Sequence, residues 1–491
     1  MTARPDPVIA GVGQVANHDD DRIVHPLDLI EEAVDAALDD AGTTRDEVDG
    51  VLAAPMSVWA SRPTSELLAE RLGVRPGLRD DSSYSGAGAQ QLLADACRAV
   101  AAGEAKVVVI AGGIADASVR RARHRGMEPP ALPTARWSQG SEGGRVDAER
   151  RRDWPEHLRY LPEVAAGAGL PSAYFALVES ALHAGTDPAE HRRRLGELLA
   201  PFTAVASRRP ELAWFPKERT PEEIATPSTS NRMIAQPYTK LMCSFPTVDL
   251  AAAIVVTAGG AGSGAAVRPL SITTGSEPGP PSTRPSISRS LALEHAIEEA
   301  LSLAAVDVGT IDRFDLYSCF PAAVQLATRA FGLGDDDPRP KTVTGGLPYF
   351  GGPGASYTLH ALTCMVEEAR AEPGSIGAVV GVGGMVTDFS VGLFTTDDAP
   401  FRSLDIGEVD GGPVPRPDGE GLAVVDAMTV LHQRDTGPVA APVIARFDDG
   451  ARIGARPSDP ALVEELAGAN LVGAEVQIEQ RDGRAFYTPV T

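Results

Sequence analysis

Two stretches far apart in the chain are written to one plan. Between residues 85 and 113, SGAGAQQLLADACRAV is followed by VVVIAGG; between residues 351 and 384, GGPGASYTLHALTCMV is followed by AVVGVGG. Each is a glycine turn, a helix of small residues and a β-branched strand ending in Gly-Gly. Helices faced with Ala, Gly, Ser and Thr let neighbours approach closely, so both read as central helices held between sheets. Strands apolar on both faces need cover on both sides. The matched order points to a duplicated α/β unit rather than to two unrelated ones. In the first copy, Gly86 and Gly88 lack a Cβ and allow backbone or ligand to come close. The helix start there offers unpaired N–H groups and a positive dipole end to an anionic group.

Regular alternation surrounds both copies. PVIAGVGQV reads as a buried strand, and Pro26 opens a helix with Leu27, Leu29, Ile30, Ala33, Val34 and Ala37 on one face. VDGVLAAP is a short strand and SELLAERLG a helix opened by Ser with Glu close behind. This order predicts a mostly parallel sheet covered on both faces. The alternation returns with VDLAAAIVVTAGG as a buried strand, LALEHAIEEALSLAAV as a helix and FDLYSCF as a strand. PAAVQLATRAFGL follows as a helix with Pro321 in its first turn, then KTVTGG as a strand, and IGAVVGVGG and FSVGLFTTD as paired strands.

Two regions depart from the alternation. From Ile114 to Ala235 the chain is rich in Arg, Pro and Trp, with Arg120, Arg121, Arg123, Arg125, Arg150, Arg151, Arg152, Arg192, Arg193 and Arg194 among its basic residues. Singly these read as solvated helix faces; together they suit a polyanion such as the phosphates of coenzyme A. From about Arg402, GEVDGGPVPRPDGEG reads as a linker. Beyond it, short strands joined by Asp-Gly turns, with a helix at Leu462–Leu466, suggest a small β-barrel-like appendage.

A formal charge of -23 over 491 residues argues against a nucleic-acid binder. Cys97, Cys243, Cys319 and Cys364 are scattered in apolar contexts, so neither a disulfide framework nor a metal centre is expected, and each reads as a small buried hydrophobe. The N-terminal residues lack a basic region followed by an apolar run, and no stretch reaches membrane-spanning length. The expectation is a cytoplasmic protein without a membrane partner.

Over residues 5 to about 400 the chain resembles the thiolase superfamily, most closely the sterol-carrier-protein-type thiolases and the actinobacterial type-1 thiolase-like proteins, often labelled acetyl-CoA acetyltransferase. IAGVGQV, GAGAQQLLADACRAVAAGEA with VVVIAGG, RMIAQPYTKLMCSFPTVDLAAAIVVTA, and the loops DLYSCF, GGPGA and GVGG carry the likeness. The resemblance implies a duplicated α/β/α/β/α thiolase fold with an extra small β-rich C-terminal domain. Residues 1–113 and 236–266 would form the first half, 114–235 a loop domain contacting coenzyme A, 267–401 the second half and 402–491 the appendage. It also implies CoA or an acyl-CoA as ligand, with no covalently bound cofactor, and a monomer or homodimer.

Carried across residue by residue, the family's catalytic positions fall at Gly86 (Ser85 after a one-residue slip), Tyr317, Gly352 and Gly381. Thiolysis and Claisen condensation need a thiolate, a proton-moving group near neutral pKa, and donors aimed at the developing oxyanions. None of these positions holds a thiol or an imidazole. Tyr317 and Ser85 remain as candidate catalytic residues, and Gly86, Gly88, Gly352 and Gly383 as candidate walls of the CoA or acyl pocket. Cys319 reads as core and His360 as a packed helical histidine. The expected function is acyl-CoA binding without ordinary thiolase turnover. One alternative is a retro-aldol C–C lyase acting on a β-hydroxyacyl-CoA through Tyr317, with Tyr349 or Tyr357 beside it; the other is an active acyltransferase with unusual site residues.

Overall fold

A computed structural model of the chain describes residues 6–57, 62–130, 163, 166–259, 266–279, 281–334, 336–409 and 411–490. The first sheet is built from β1 (Pro7–Ala16), β2 (Gly50–Ala53), β3 (Leu78–Asp81), β4 (Val107–Ala115) and, from beyond the loop region, Asp249–Ala258. Its helices are α1 (Pro26–Ala41), α2 (Thr64–Leu72) and α3 (Gly88–Ala102), and α4 (Asp116–His124) leads into the loop region. That region holds α5 (Pro171–Leu182), α6 (Pro188–Ser207), α7 (Pro221–Ala225), β5 (Met233–Ala235) and β6 (Tyr238–Thr239), after which Asp249–Ala258 is β7.

The second half comprises β8 (Arg268–Ser276), α8 (Leu291–Ala304), β9 (Arg313–Leu316), α9 (Pro321–Ala330), α10 (Tyr357–Ala371), β10 (Gly377–Gly383), β11 (Asp388–Thr395) and β12 (Arg402–Glu408). The sheets run β1-β7-β4-β2-β3 and β12-β8-β11-β10-β9. In each, a strand antiparallel to both neighbours is followed by a parallel pair: β1, β7, β4, β2 in the first and β8, β11, β10, β9 in the second. The duplication legible in the sequence is thus a duplication of topology. Four strands of the first sheet, β1, β4, β2 and β3, run parallel, and β7 runs against them between β1 and β4.

The stack is α/β/α/β/α. On one outer face α1 buries Leu29, Ile30, Ala33 and Val34, and Gly11 and Gly13 let β1 lie against its backbone. A Cβ on Gly11 would stand 2.1 Å from the Ala37 carbonyl oxygen. Between the sheets lie α3 and α10, each packed on strands of both halves, and α8 covers the far face with α9 beside it. Two polar ties cross the middle layer: Gln90 Nε2 donates to the Val379 carbonyl at 3.1 Å, and the Thr358 hydroxyl donates to the Gly86 carbonyl.

Two expectations shift. KTVTGG is not a strand. Phe314 and Leu316 donate backbone N–H groups to Pro340 and Lys341, on the free side of β9, where β3 lies in the first half. The chain then turns inward so that Val343 N, Thr344 N and the Thr342 and Thr344 hydroxyls all meet the buried Asp315 carboxylate. Arg402–Glu408, read as the start of the appendage, is instead an edge strand of the second sheet, parallel to β8.

Beyond it, β13 (Gly421–Met428), β16 (Val443–Arg446), β17 (Arg452–Pro457), β18 (Glu475–Arg481) and β19 (Arg484–Pro489) close into a barrel. The intervening β14 (Leu431–Gln433) and β15 (Gly437–Ala440) join β5 and β6 in a four-stranded sheet, so the barrel is stitched to the loop region; α11 (Ala461–Glu465) lies beside it.

Asp249, fully buried at the start of β7, fastens three elements. It accepts from Asn17 Nδ2 at 3.0 Å, from Ser118 N at 2.8 Å and from the Ser118 hydroxyl at 2.7 Å, and pairs with Arg121. Removing one member of a buried ion pair leaves the other charge uncompensated. Asp249→Ala is expected to lower stability by about 3–5 kcal/mol, read from urea denaturation; a loss below about 1 kcal/mol would remove this role.

Candidate active site

The turn before α3 is held by its own hydrogen bonds. Ser85 N donates to the Ser83 carbonyl at 2.8 Å, Gly88 N to the Ser85 carbonyl at 3.1 Å and Ala87 N to the Ser85 hydroxyl oxygen at 3.2 Å. That hydroxyl also bonds the carboxyl of Asp388, whose pKa burial drives upward. Ser85 is therefore a turn-fixing residue with no histidine against it.

Beside this turn opens a cavity of ≈ 540 Å³, within the size range of small-molecule sites. Four loops of the duplicated core form its floor, contributing Tyr84–Gly86, Tyr317 with Cys319 and Phe320, Gly352 with Gly354 and Ala355, and Val382–Gly384. The loop region supplies the opposite wall, including Phe175, Lys240, Ser244 and Phe245. Of the residues proposed from sequence, Ser85, Gly86, Tyr317, Gly352 and Gly383 meet here. Gly88 does not: a Cβ there would abut the Ser82 side chain at 2.5 Å, inside the turn. Gly381 lies beneath the floor, where a Cβ would stand 2.7 Å from the Gly86 carbonyl oxygen.

The glycines are glycines because neighbours fill their space. A Cβ on Gly86 would lie 2.5 Å from the Tyr317 hydroxyl and 2.3 Å from the Val382 carbonyl oxygen. On Gly352 it would lie 2.1 Å from the Ser244 hydroxyl, and on Gly381 2.5 Å from the Ser390 hydroxyl. Real Cβ contacts are never this short. Each position is closed by a hydroxyl borrowed from another segment.

Tyr317 is the polar feature of the floor. Its ring packs edge-on against Tyr357 at 5.4 Å, no described residue hydrogen-bonds its hydroxyl, and burial raises its pKa well above the phenol value. The other two tyrosines do not line the cavity. Tyr357 bonds Thr344 at 2.6 Å and Asp315 at 3.2 Å, one layer behind. The Tyr349 hydroxyl is buried without a hydrogen-bond partner among the described residues.

Cys319 belongs to the buried core and also lines the cavity, as does Cys243; burial pushes the Cys243 thiol up to about 12 and the Cys319 thiol higher still. His360 is away from the cavity, its Nδ1 2.8 Å from Gln14 Oε1, and burial lowers its pKa to about 3. Among the described lining residues there is no histidine and no carboxylate, and Lys240 is the one charged group.

Sequence reasoning missed the wall. Lys240 and Ser244 stand in the segment RMIAQPYTKLMCSF, which carries the family likeness but no motif that marks a site, and Phe175 lies in the loop region without a signal that sets it apart. The arginines expected at a polyanion are mostly spent elsewhere. Arg121 pairs with buried Asp249, Arg125 with Asp21, and Arg193 and Arg194 with Glu190 on the same helix. Arg150, Arg151 and Arg152 lie outside the described residues.

A duplicated five-layer core with a four-loop cavity at the junction of its halves defines a thiolase-fold protein. No protein-family profile matches the chain, and no curated protein matches it in sequence. Among solved structures it is similar to a monomeric SCP2-thiolase like protein type 1 from Mycobacterium smegmatis, at 27% identity and a TM-score of 0.82 over 100% of both chains. It is also similar in fold to an Ltp2-ChsH2(DUF35) aldolase (18% identity, TM-score 0.58, 81% of this chain and 100% of that one). An acetyl-CoA acetyltransferase from Syntrophomonas wolfei shares the fold at 15% identity and a TM-score of 0.56, over 80% of this chain and 100% of that one. The chain has the thiolase fold, and over its whole length it is similar to that SCP2-thiolase like protein type 1.

The crowding around Gly86 sets a test. Gly86→Ala is expected to cost about 1–3 kcal/mol through overpacking. Combining it with Tyr317→Ala should recover part of that loss, because the two side chains compete for one space. Strictly additive melting shifts would show that they do not.

Proposed function

We infer that the cavity binds a CoA thioester and does not support thiolysis or Claisen condensation. The observation that carries this is the composition of the lining. Acyl transfer needs a populated thiolate and a group able to take the α-proton near neutral pH. The two lining thiols are held protonated by burial, and among the described residues no lining imidazole or carboxylate stands by to accept a proton. The positions that the family likeness assigns to the nucleophile, the activating histidine and the second cysteine are Gly86, Gly352 and Gly381. Apolar walls from Phe175, Phe245, Phe320 and Val382 suit an acyl chain. Lys240, exposed at the wall and without an ion-pair partner among the described residues, supplies a cation for a phosphate.

Acetoacetyl-CoA with CoA should give no thiolysis, whereas calorimetry should show binding of CoA and acyl-CoA. Lys240→Ala should weaken CoA binding roughly tenfold, the cost of a charge-assisted contact. Absence of both binding heat and a thermal shift would remove the binding reading. Turnover that persists in Cys319→Ala would instead support an acyltransferase with unusual residues.

Tyr317 favours a second reading, retro-aldol cleavage of a β-hydroxyacyl-CoA, and one structural neighbour is an aldolase. Water in the cavity would take the β-hydroxyl proton as the Cα–Cβ bond breaks to leave a carbonyl product, and the acyl-CoA enolate would take a proton back from that water. A phenol whose pKa is raised remains protonated, so Tyr317 would serve as hydrogen-bond donor to the thioester oxygen as enolate charge develops. A β-hydroxyacyl-CoA panel should then yield carbonyl compound and acyl-CoA. Removing one such donor typically lowers kcat by roughly 10²–10³-fold, the drop expected for Tyr317→Phe; undiminished activity would reject the role.

A further inference from the structure

Glu179, in α5, is fully buried, and no Lys or Arg among the described residues pairs with it. A buried carboxylate needs a counter-charge or a metal. Its neighbours are two imidazoles. His183 follows one helical turn later, so the two side chains share a face. His191 comes from the first turns of α6, whose start is fixed by the Asp187 carboxylate accepting from Ala189 N and Glu190 N.

One ring nitrogen of each histidine and a Glu179 oxygen all lie within 4.8 Å of one another. His191 Nε2 is 2.8 Å and His183 Nε2 3.6 Å from Glu179 Oε1, and the two rings are 3.8 Å apart.

We propose that Glu179, His183 and His191 form a structural metal site for zinc or a similar divalent ion. Two imidazole nitrogens and one carboxylate oxygen are a borderline-soft donor set. Tetrahedral bonds of 2.0–2.1 Å place donors roughly 3.4 Å apart; the observed 2.8 and 3.6 Å bracket that spacing. The carboxylate is aimed by supporting donors: the Tyr238 hydroxyl holds Oε2 at 2.8 Å, and Gln325 Nε2 holds Oε1 at 2.7 Å. Beside the histidines, a void of ≈ 30 Å³ lined also by Ser180, Gln236, Met428 and Asn470 has room for one water as fourth ligand. His191 is 5% exposed and turns its Nε2 to Glu179, while His183 Nε2 also meets Gln325 Oε1, a contact that an ion at this nitrogen would replace. The site lies where α5 and α6 meet the barrel, one turn along α5 from Phe175 in the cavity wall. An ion there would pin α5 to α6, and α5 packs against the barrel strand β13.

The test uses the full chain without a histidine tag, dialysed against chelator and titrated with ZnCl2 by calorimetry and with CoCl2 by visible absorption. About one equivalent per chain is expected, with the intense d–d bands of a tetrahedral cobalt site and a zinc-dependent rise in melting temperature. His183 is the partly exposed ligand, so His183→Ala should fold and lose zinc affinity at least ~100-fold, together with the cobalt bands. His191→Ala should do the same. Failure of wild type to take up either metal overturns the site, as does unchanged binding in His183→Ala. Should His191→Ala not fold, His183→Ala decides alone.

Discussion

The two halves of the molecule meet backbone to backbone at Gly86 and Gly381. A Cβ on the first would strike the Val382 carbonyl, and one on the second would strike the Gly86 carbonyl, which also accepts the Thr358 hydroxyl. The floor of the cavity is this contact. Because interiors are packed to crystal-like density, room taken at one of these positions must be given up at another. Tyr317 reaches to where a side chain at 86 would stand, Ser244 to where one at 352 would stand, and Ser390 to where one at 381 would stand. The glycines and the hydroxyls form one coupled set. A side chain placed at any one of these positions would therefore clash with its neighbours.

Electrostatics follows from the same packing. Closing the floor with neighbouring hydroxyls leaves a lining with no carboxylate or imidazole among the described residues, and an environment of that kind disfavours the charged form of any group within it. Both lining thiols and the Tyr317 phenol are driven toward their neutral forms by burial. The chemistry open to such a cavity is that of neutral donors and shape, with formal charge at its edge in Lys240. The arginines follow a different logic. Arg121 and Arg125 tie α4 to the chain before α1, and Arg193 and Arg194 brace α6 internally, so a cluster basic in sequence is largely neutralised in space.

Sequence carried the architecture where periodicity carries it. The paired glycine turns, small-residue helices and β-branched strands report local burial, and the layered fold follows from them. Direction does not leave the same mark: Asp249–Ala258 reads as a buried strand whichever way it runs, so its antiparallel passage through the first sheet was not legible. Arg402–Glu408 looks like linker because an edge strand exposes most of its side chains, and only pairing with β8 gives it away. The site was half legible. Glycine turns mark close approach, but whether a ligand or a protein neighbour makes it depends on tertiary contact, which separates Gly86 and Gly383 from Gly88. Tyr317, Tyr349 and Tyr357 sit in similar local contexts and diverge by one layer of depth. Glu179, His183 and His191 carry no recognisable motif, since α5 and α6 must first fold back on each other.

That pairing of helices bears on the appended barrel. Met428 N, at the end of β13, donates to the Ser180 hydroxyl at 2.9 Å, and Gln236 bonds both Ala469 and Gly468. These bonds hold the barrel against α5 and the segment that leads to Lys240. Phe175, one turn before Glu179 on the same helix, stacks on Phe320 at 4.7 Å across the cavity. The wall facing the glycine floor is thus braced from behind by the barrel, through the helix that also carries Glu179. Disturbing the bracing would move Phe175 against Phe320 while leaving the floor's glycine contacts intact. The cavity's aromatic wall and its glycine floor therefore depend on separate parts of the chain, the floor on the duplicated core and the wall on the loop region and barrel together.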